Sequence, residues 1–148
     1  MPAARRLSTL LTILLGAALG VGLYTFIYAR GASYLTDRPD ACANCHVMQD
    51  HFRGWMKSSH GRAAVCNDCH TPGGFFAKYS VKALNGFWHS FAFTTGRFPD
   101  QIEITDRNFR VADTACVKCH QEIVHAIEQT DTNRLSCVRC HSSVGHME

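Results

Sequence analysis

The chain leaves no cysteine unassigned and carries no charge across its most apolar stretch. All eight cysteines fall into repeats of one pentapeptide, so none remains for a disulfide or a thiol nucleophile. Residues 7–29, LSTLLTILLGAALGVGLYTFIYA, hold no Asp, Glu, Lys or Arg, which excludes a solvated amphipathic helix there. At about 1.5 Å per residue this run reaches about 34 Å, enough for a hydrocarbon layer of about 30 Å. The formal charge is +3, too weak a basic balance to imply a nucleic-acid partner.

What is present is Cys42-Ala-Asn-Cys45-His46, Cys66-Asn-Asp-Cys69-His70, Cys116-Val-Lys-Cys119-His120 and Cys137-Val-Arg-Cys140-His141. C-x-x-C-H is the attachment signal for c-type haem. Two thiols add across the haem vinyls, and the adjacent histidine lies under the iron as an axial ligand. Two C-x-x-C pairs can also build a tetrahedral zinc site, but zinc does not require a histidine after the second cysteine, and here one follows all four times. The expectation is four covalent haem c groups. Their eight propionates turn +3 into about −5 (3 − 8), so Lys and Arg are expected near them. Thioether attachment places the haem domain outside the cytoplasmic membrane, on the periplasmic side.

The expected fold class is mainly α with little regular structure: one N-terminal transmembrane helix plus a compact tetrahaem domain. Residues 1–30 form the anchor and 31–148 the haem domain. A cleaved signal peptide is the competing reading of the apolar run, but the apolar part of a signal is usually only about 7–15 residues. Arg5 and Arg6 set the N-terminus inside, and Tyr24 and Tyr28 suit an interfacial aromatic belt. Gly16 and Gly20, four apart, permit close helix packing and a homo-oligomer. Arg38-Pro39 breaks any continuing helix. Cys42 follows Arg30 by only 12 residues (42 − 30), so haem 1 belongs near the membrane surface.

The motifs form two pairs. Motifs 1 and 2 start 24 residues apart (66 − 42), and motifs 3 and 4 start 21 apart (137 − 116). This resembles a duplicated two-haem unit, and haems so close in sequence form an electron wire. The long insert, about 73–110, is aromatic-rich. From Phe75 it turns helical, with an apolar stripe at Val81, Leu84, Trp88 and Phe91 and a polar one at Lys78, Lys82, Asn85 and His89. Such a helix either covers a haem or lies at the membrane interface with its polar stripe toward haem 1 and a lipid-soluble substrate. Residues 106–115 and 121–136 read as short helices between motifs. His51, His60, His89, His125 and His146 lie outside the motifs; His60 and His146 are placed to reach haems other than their local ones. Met48 follows His46 by two residues, too few for both side chains to bind opposite faces of one iron, so one of the two is displaced.

The stretches ACANCHVM, SSHGRAAVCNDCH, GFWHSFAFTTG and CHSSVGHM resemble the NapC/NirT family of membrane-anchored quinol dehydrogenases. Within it, the chain is most similar to the small tetrahaem subunits that serve ammonia-forming cytochrome c nitrite reductases. The resemblance implies Met48 as proximal ligand of haem 1, and His70, His120 and His141 as proximal ligands of haems 2, 3 and 4. It further implies His146 as distal ligand of haem 3, His60 as distal ligand of haem 4, and Lys82 at the quinol site. Haem 2 is then the exit haem, completed by a lysine of the partner. His89 stands where some relatives carry Asp. His51 and His125 match no family position, and either can complete haem 2 internally.

The function this implies is oxidation of menaquinol at haem 1, with Lys82 and His89 handling the quinol. Electrons pass singly to a larger periplasmic multihaem reductase subunit, nitrite reductase foremost. A nitrate, metal or other reductase as acceptor is the alternative. Reduction of nitrite by the chain itself is another, but no Arg/His/Tyr cluster suited to an anion stands beside motif 1. A passive electron carrier is a third reading, against which the Lys82/His89 stripe argues.

Overall fold

The computed structural model describes residues 2–130 and 136–147. Every regular element among them is helical, and the chain divides into two units, Met1–Ser33 and Tyr34–Glu148.

The first unit is one helix, α1 (Pro2–Tyr28), with no buried residue. It is long and apolar enough to cross a membrane. Being apolar on all sides, it has no solvent-facing stripe. Two of its threonines bond back onto the helix: Thr9 Oγ1 donates to the Arg5 carbonyl and Thr12 Oγ1 to that of Ser8, each at 2.9 Å. Arg30, at φ 50°, ends the helical path in the left-handed region.

The second unit contains α2 (Pro39–Cys42), α3 (Gln49–Lys57), α4 (Cys66–His70), α5 (Phe75–Thr95), α6 (Asp106–Ala115), α7 (Val117–Thr130) and α8 (Cys137–Cys140). The helix expected over 106–115 is α6. That expected over 121–136 is part of α7, which begins inside motif 3; residues 131–135 lie outside those described. Local capping sets several starts. Asp68 Oδ2 accepts the Val65 N–H at 2.8 Å at the head of α4. Thr105 Oγ1 accepts from Asn108 N at the head of α6. Asp113 of α6 accepts from Ser136 Oγ at 2.9 Å and Val138 N at 3.1 Å, holding the start of α8.

The unit has almost no apolar core of its own. Ala43 and Ala115 are its only buried apolar residues among those described, and no large side chain is fully buried. Its buried polar residues are Ser58, Asn67, Thr71 and Lys82. A domain of this size folds by burying apolar surface, and its own side chains bury little of it.

Candidate functional site

Motifs 2, 3 and 4 share one local design. Each C-x-x-C occupies a helical turn, so the two thiols, three residues apart, lie on one side. In motifs 3 and 4 the histidine N–H closes that turn on the first cysteine's carbonyl, His120 to Cys116 and His141 to Cys137, both at 2.9 Å. His120 itself is non-helical, at φ −108° and ψ 28°, a kink that turns its ring away from the α7 axis. Motif 1 departs from this design. There α2 ends at Cys42, Cys45 is extended, and His46–Met48 form a separate 3-10 turn closed by Met48 N on the Cys45 carbonyl at 2.9 Å. The ring of His46 meets Phe93 edge-on, with centroids 6.1 Å apart.

The motifs approach one another in chain order. The Cys66 thiol donates to Cys42, which pushes Cys42 down to about 7 and Cys66 up. Cys116 and Cys137 are in hydrogen-bond reach of each other, and burial pushes Cys116 up. The first thiols therefore join motif 1 to 2 and motif 3 to 4, the same pairs seen in the spacing. Between the pairs, burial raises Cys69, with Asp68 and Cys119 adding negative charge nearby. Lys118 of motif 3 also donates to the carbonyls of Asp68 and Thr71 around motif 2. Among the described residues no group of three or more His, Cys, Asp or Glu converges to hold a bare metal ion. Paired thiols on short turns, a following histidine and the small side-chain core all fit covalent haem.

The histidines outside the motifs fall into two neighbourhoods. His60 lies beside His120, ring centroids 6.1 Å apart, and its Nδ1 is 3.1 Å from Ser59 Oγ. His146 lies 6.0 Å from His70 and 5.5 Å from His51, ring to ring. Its Nδ1 sits 2.9 Å from the His51 carbonyl, so it donates there and carries its lone pair on Nε2. An imidazole with one nitrogen held by an oxygen and a lone pair on the other is oriented as a metal ligand. Burial, then the charges of His146 and His51, push His70 down to about 4, keeping it neutral as ligation requires. The C-terminal segment reaches this place because Gly54 has no side chain. A Cβ there would lie 2.6 Å from the Met147 carbonyl oxygen, and Met147 N donates to the Gly54 carbonyl at 3.2 Å. The resemblance implied His146 on haem 3 and His60 on haem 4; the nearest motif rings are His70 of motif 2 for His146 and His120 of motif 3 for His60. His141 caps α8 and is exposed.

The two stripes of α5 lie on different faces of the helix. The apolar one faces out, with Leu84, Trp88 and Phe91 exposed and Val81 half-buried. The polar one grips the segment 34–37. Lys82, 5% exposed, donates from Nζ to the Thr36 carbonyl at 2.7 Å and to Asp37 Oδ1 at 3.1 Å. Lys78 binds the other Asp37 oxygen. Asn67, within motif 2, donates to Asp37 Oδ1 at 2.7 Å. Asn85 accepts from Arg107 of α6 at 2.6 Å, and His89 Nδ1 lies 3.0 Å from Tyr34 Oη. The hydrogen bond from Lys78, then that from Lys82, outweighs burial and holds Asp37 at about 2. Residues 31–41 hold no motif in the sequence. Their contacts with α5 carry no local sequence signal, since Tyr34 and Asp37 meet partners 41–55 residues away.

Comparison with known proteins agrees with this geometry. Residues 3–148 match the model of the NapC/NirT cytochrome c family, N-terminal region. The chain is 36% identical over 123 residues to the cytochrome c-type protein NrfH of Wolinella succinogenes, covering 82% of this chain and 70% of that one. It also superposes on a chain of a solved cytochrome c nitrite reductase NrfHA complex bound to the inhibitor HQNO. The TM-score is 0.67 with 29% identity, covering 92% of this chain and 90% of that one.

Proposed function

The chain belongs to the NapC/NirT cytochrome c family and carries covalently bound haem c, and on that premise we propose that it is the membrane-anchored quinol-oxidising subunit of a cytochrome c nitrite reductase. It takes electrons from menaquinol beside motif 1 and passes them along four haems to a larger periplasmic multihaem subunit that reduces nitrite. The anchor is α1, in the cytoplasmic membrane, with the haem unit on the periplasmic side.

One observation carries the reading: the polar stripe of α5 is fastened to residues 34–37, the segment that runs into motif 1, while its aromatic stripe is left outside. That amphipathic arrangement suits a helix lying in the membrane interface. Lys82 has three N–H donors and two acceptors among the described residues, which leaves one to stabilise negative charge on a quinol oxygen. His89, neutral at working pH, is the proton acceptor. The haems supply one-electron redox chemistry when bound; the chain supplies ligands, orientation and proton handling. Cys42, Cys45, Cys66, Cys69, Cys116, Cys119, Cys137 and Cys140 form the thioethers. Met48, His60, His70, His120, His141 and His146 are the iron ligands. The lone pair on Nε2 of His146 and the oxygen beside Nδ1 of His60 support this set.

The test uses the full-length chain purified from membranes. Intact mass should show four haems and retained residues 1–31. A menaquinol analogue should reduce the haems, and nitrite should not reoxidise them until the catalytic subunit is added. Nitrite turnover by the chain alone, or haems that the quinol leaves oxidised, overturns the proposal.

A further inference from the structure

Quinol oxidation releases protons as well as electrons, and iron takes no proton. The atoms around His89 narrow down how the proton leaves. Lys82, Gly86 and His89 lie on one face of α5, three to four residues apart, and all three engage the segment that precedes motif 1. Lys82 holds Thr36 and Asp37. Gly86 seats the ring of Tyr34: a Cβ at Gly86 would stand 3.4 Å from that ring, so any larger side chain would displace it. His89 meets the phenolic oxygen of the same tyrosine at 3.0 Å through Nδ1. Tyr34 is thus fixed by its ring on one turn of α5 and by its hydroxyl on the next.

We propose that Tyr34 is the positioning residue for the proton acceptor of quinol oxidation: His89 Nδ1–H donates to the Tyr34 phenolic oxygen, leaving Nε2 free to take the quinol proton. The inference rests on the quinol reading above and deepens it. In the step served, one quinol O–H bond breaks and one Nε2–H bond forms. The imidazolium keeps its Nδ1–H bond to Tyr34, now charge-assisted and stronger than before. His89 then passes the proton to solvent and is ready for the second. The electrons go one at a time to ferric c-type haem.

The surrounding groups suit these roles. Burial, with lesser contributions from Cys45 and Cys42, pushes the Tyr34 phenol up to about 12. Once both sulfurs are uncharged thioethers, burial alone keeps the phenol neutral, as an acceptor for an imidazolium should be. Its proximity to these two cysteines also sets the Tyr34–His89 pair beside the haem of motif 1. From α6 the Arg107 guanidinium faces His89; burial, then that charge, lowers His89 from its ordinary value, so it is neutral and basic near pH 7.

The experiment uses the full-length chain with all four haems in detergent, the probe being a reduced menaquinone analogue. With Tyr34→Phe, kcat should fall about 10-fold or more, as expected when a general base loses its orientation, while KM stays within about twofold. The acid limb of the pH profile should move down, because the imidazolium loses an acceptor. Reduction by dithionite and the haem spectra should not change. Gly86→Leu, which pushes the tyrosine ring away, should reproduce the kcat loss. Wild-type kcat and acid limb in Tyr34→Phe overturn the inference. So does a loss that extends to dithionite reduction or the spectra, which marks Tyr34 as packing only. Failure of the wild-type chain to oxidise the analogue is a separate result: it defeats the quinol reading and this inference with it.

Discussion

Lys118, inside motif 3, donates from Nζ to the carbonyl oxygen of Asp68, inside motif 2, at 2.7 Å. The two residues are 50 apart in sequence, and the second acceptor of Lys118, the Thr71 carbonyl, belongs to the same turn. One cation thus clamps motif 2 to motif 3, at the junction between the two pairs of motifs.

Lys118→Met should therefore act on both stability and transfer. Hydrogen bonds to a charged group contribute about 1.5–3 kcal/mol each at most, less where partly exposed, so a fall of several degrees in Tm is expected with four haems retained. In stopped flow with quinol, the reduction of haems 1 and 2 should stay fast and that of haems 3 and 4 should lag. A single unchanged phase would show that the clamp does not set the distance between the pairs.

His60 and His146 are expected to ligate iron through Nε2, because Nδ1 of His146 is committed to the His51 carbonyl and Nδ1 of His60 lies beside Ser59 Oγ. Replacing either by Ala should convert one haem from low to high spin, read by electron paramagnetic resonance, and lose quinol-to-acceptor transfer. A variant that keeps every low-spin signal removes that histidine from the ligand set. Gly54→Ala tests the same site indirectly: a Cβ would strike the Met147 backbone and lift His146 away, giving the His146 phenotype.

The anchor, the four motifs and their pairing were legible in the sequence because each is local: an uncharged run, a pentapeptide, a spacing. The two-faced character of α5 was legible through its 3.6-residue period. What periodicity does not give is what each face meets. Asp37, Tyr34 and Asn67 gained their roles from contacts 30–55 residues distant, and the placement of His146 depended on Gly54 accepting a backbone at its surface. The thiol pairing Cys42–Cys66 and Cys116–Cys137 links spacing to space: motifs about two dozen residues apart became neighbours.

The Lys82–Asp37 contact gives a pH prediction. The folded pKa of Asp37 is depressed from 3.8 to about 2, chiefly by Lys78. Its contribution to stability is therefore present above pH 3.8 and is lost as pH falls toward 2. Asp37→Asn should be less stable than the wild type at neutral pH, by about 1 kcal/mol given the exposure of the carboxylate. The gap should close in acid. Thermal melts of the two proteins between pH 2 and 7, coinciding at the low end only, check it.

Lys82→Ala and His89→Ala should each slow menaquinol oxidation by on the order of 10²-fold, the scale of a lost general base or electrostatic donor. Dithionite should still reduce all four haems. Both variants oxidising quinol at the wild-type rate would place the site away from α5.

Motif 1 gives the last prediction. Motif 1 is the one whose C-x-x-C does not fill a helical turn: α2 stops at Cys42, and His46 starts a 3-10 turn that carries Met48 onward to α3. The His46 ring is engaged edge-on by Phe93 of α5. We propose that Met48, rather than His46, ligates the haem of motif 1, a reading the family resemblance implies and the separate 3-10 turn supports. A thioether is a softer ligand than imidazole and raises the reduction potential of a haem. That makes the haem of motif 1 a good first acceptor from quinol. Met48→Ala should change the signal of one haem and abolish quinol oxidation while dithionite reduction persists. Met48→His should restore a ligand on that side but lower the potential of the same haem, slowing electron entry. His46→Ala should leave the spectrum and potential as they were. If His46→Ala alters the haem and Met48→Ala does not, the motif histidine is the ligand after all and the 3-10 turn has another cause.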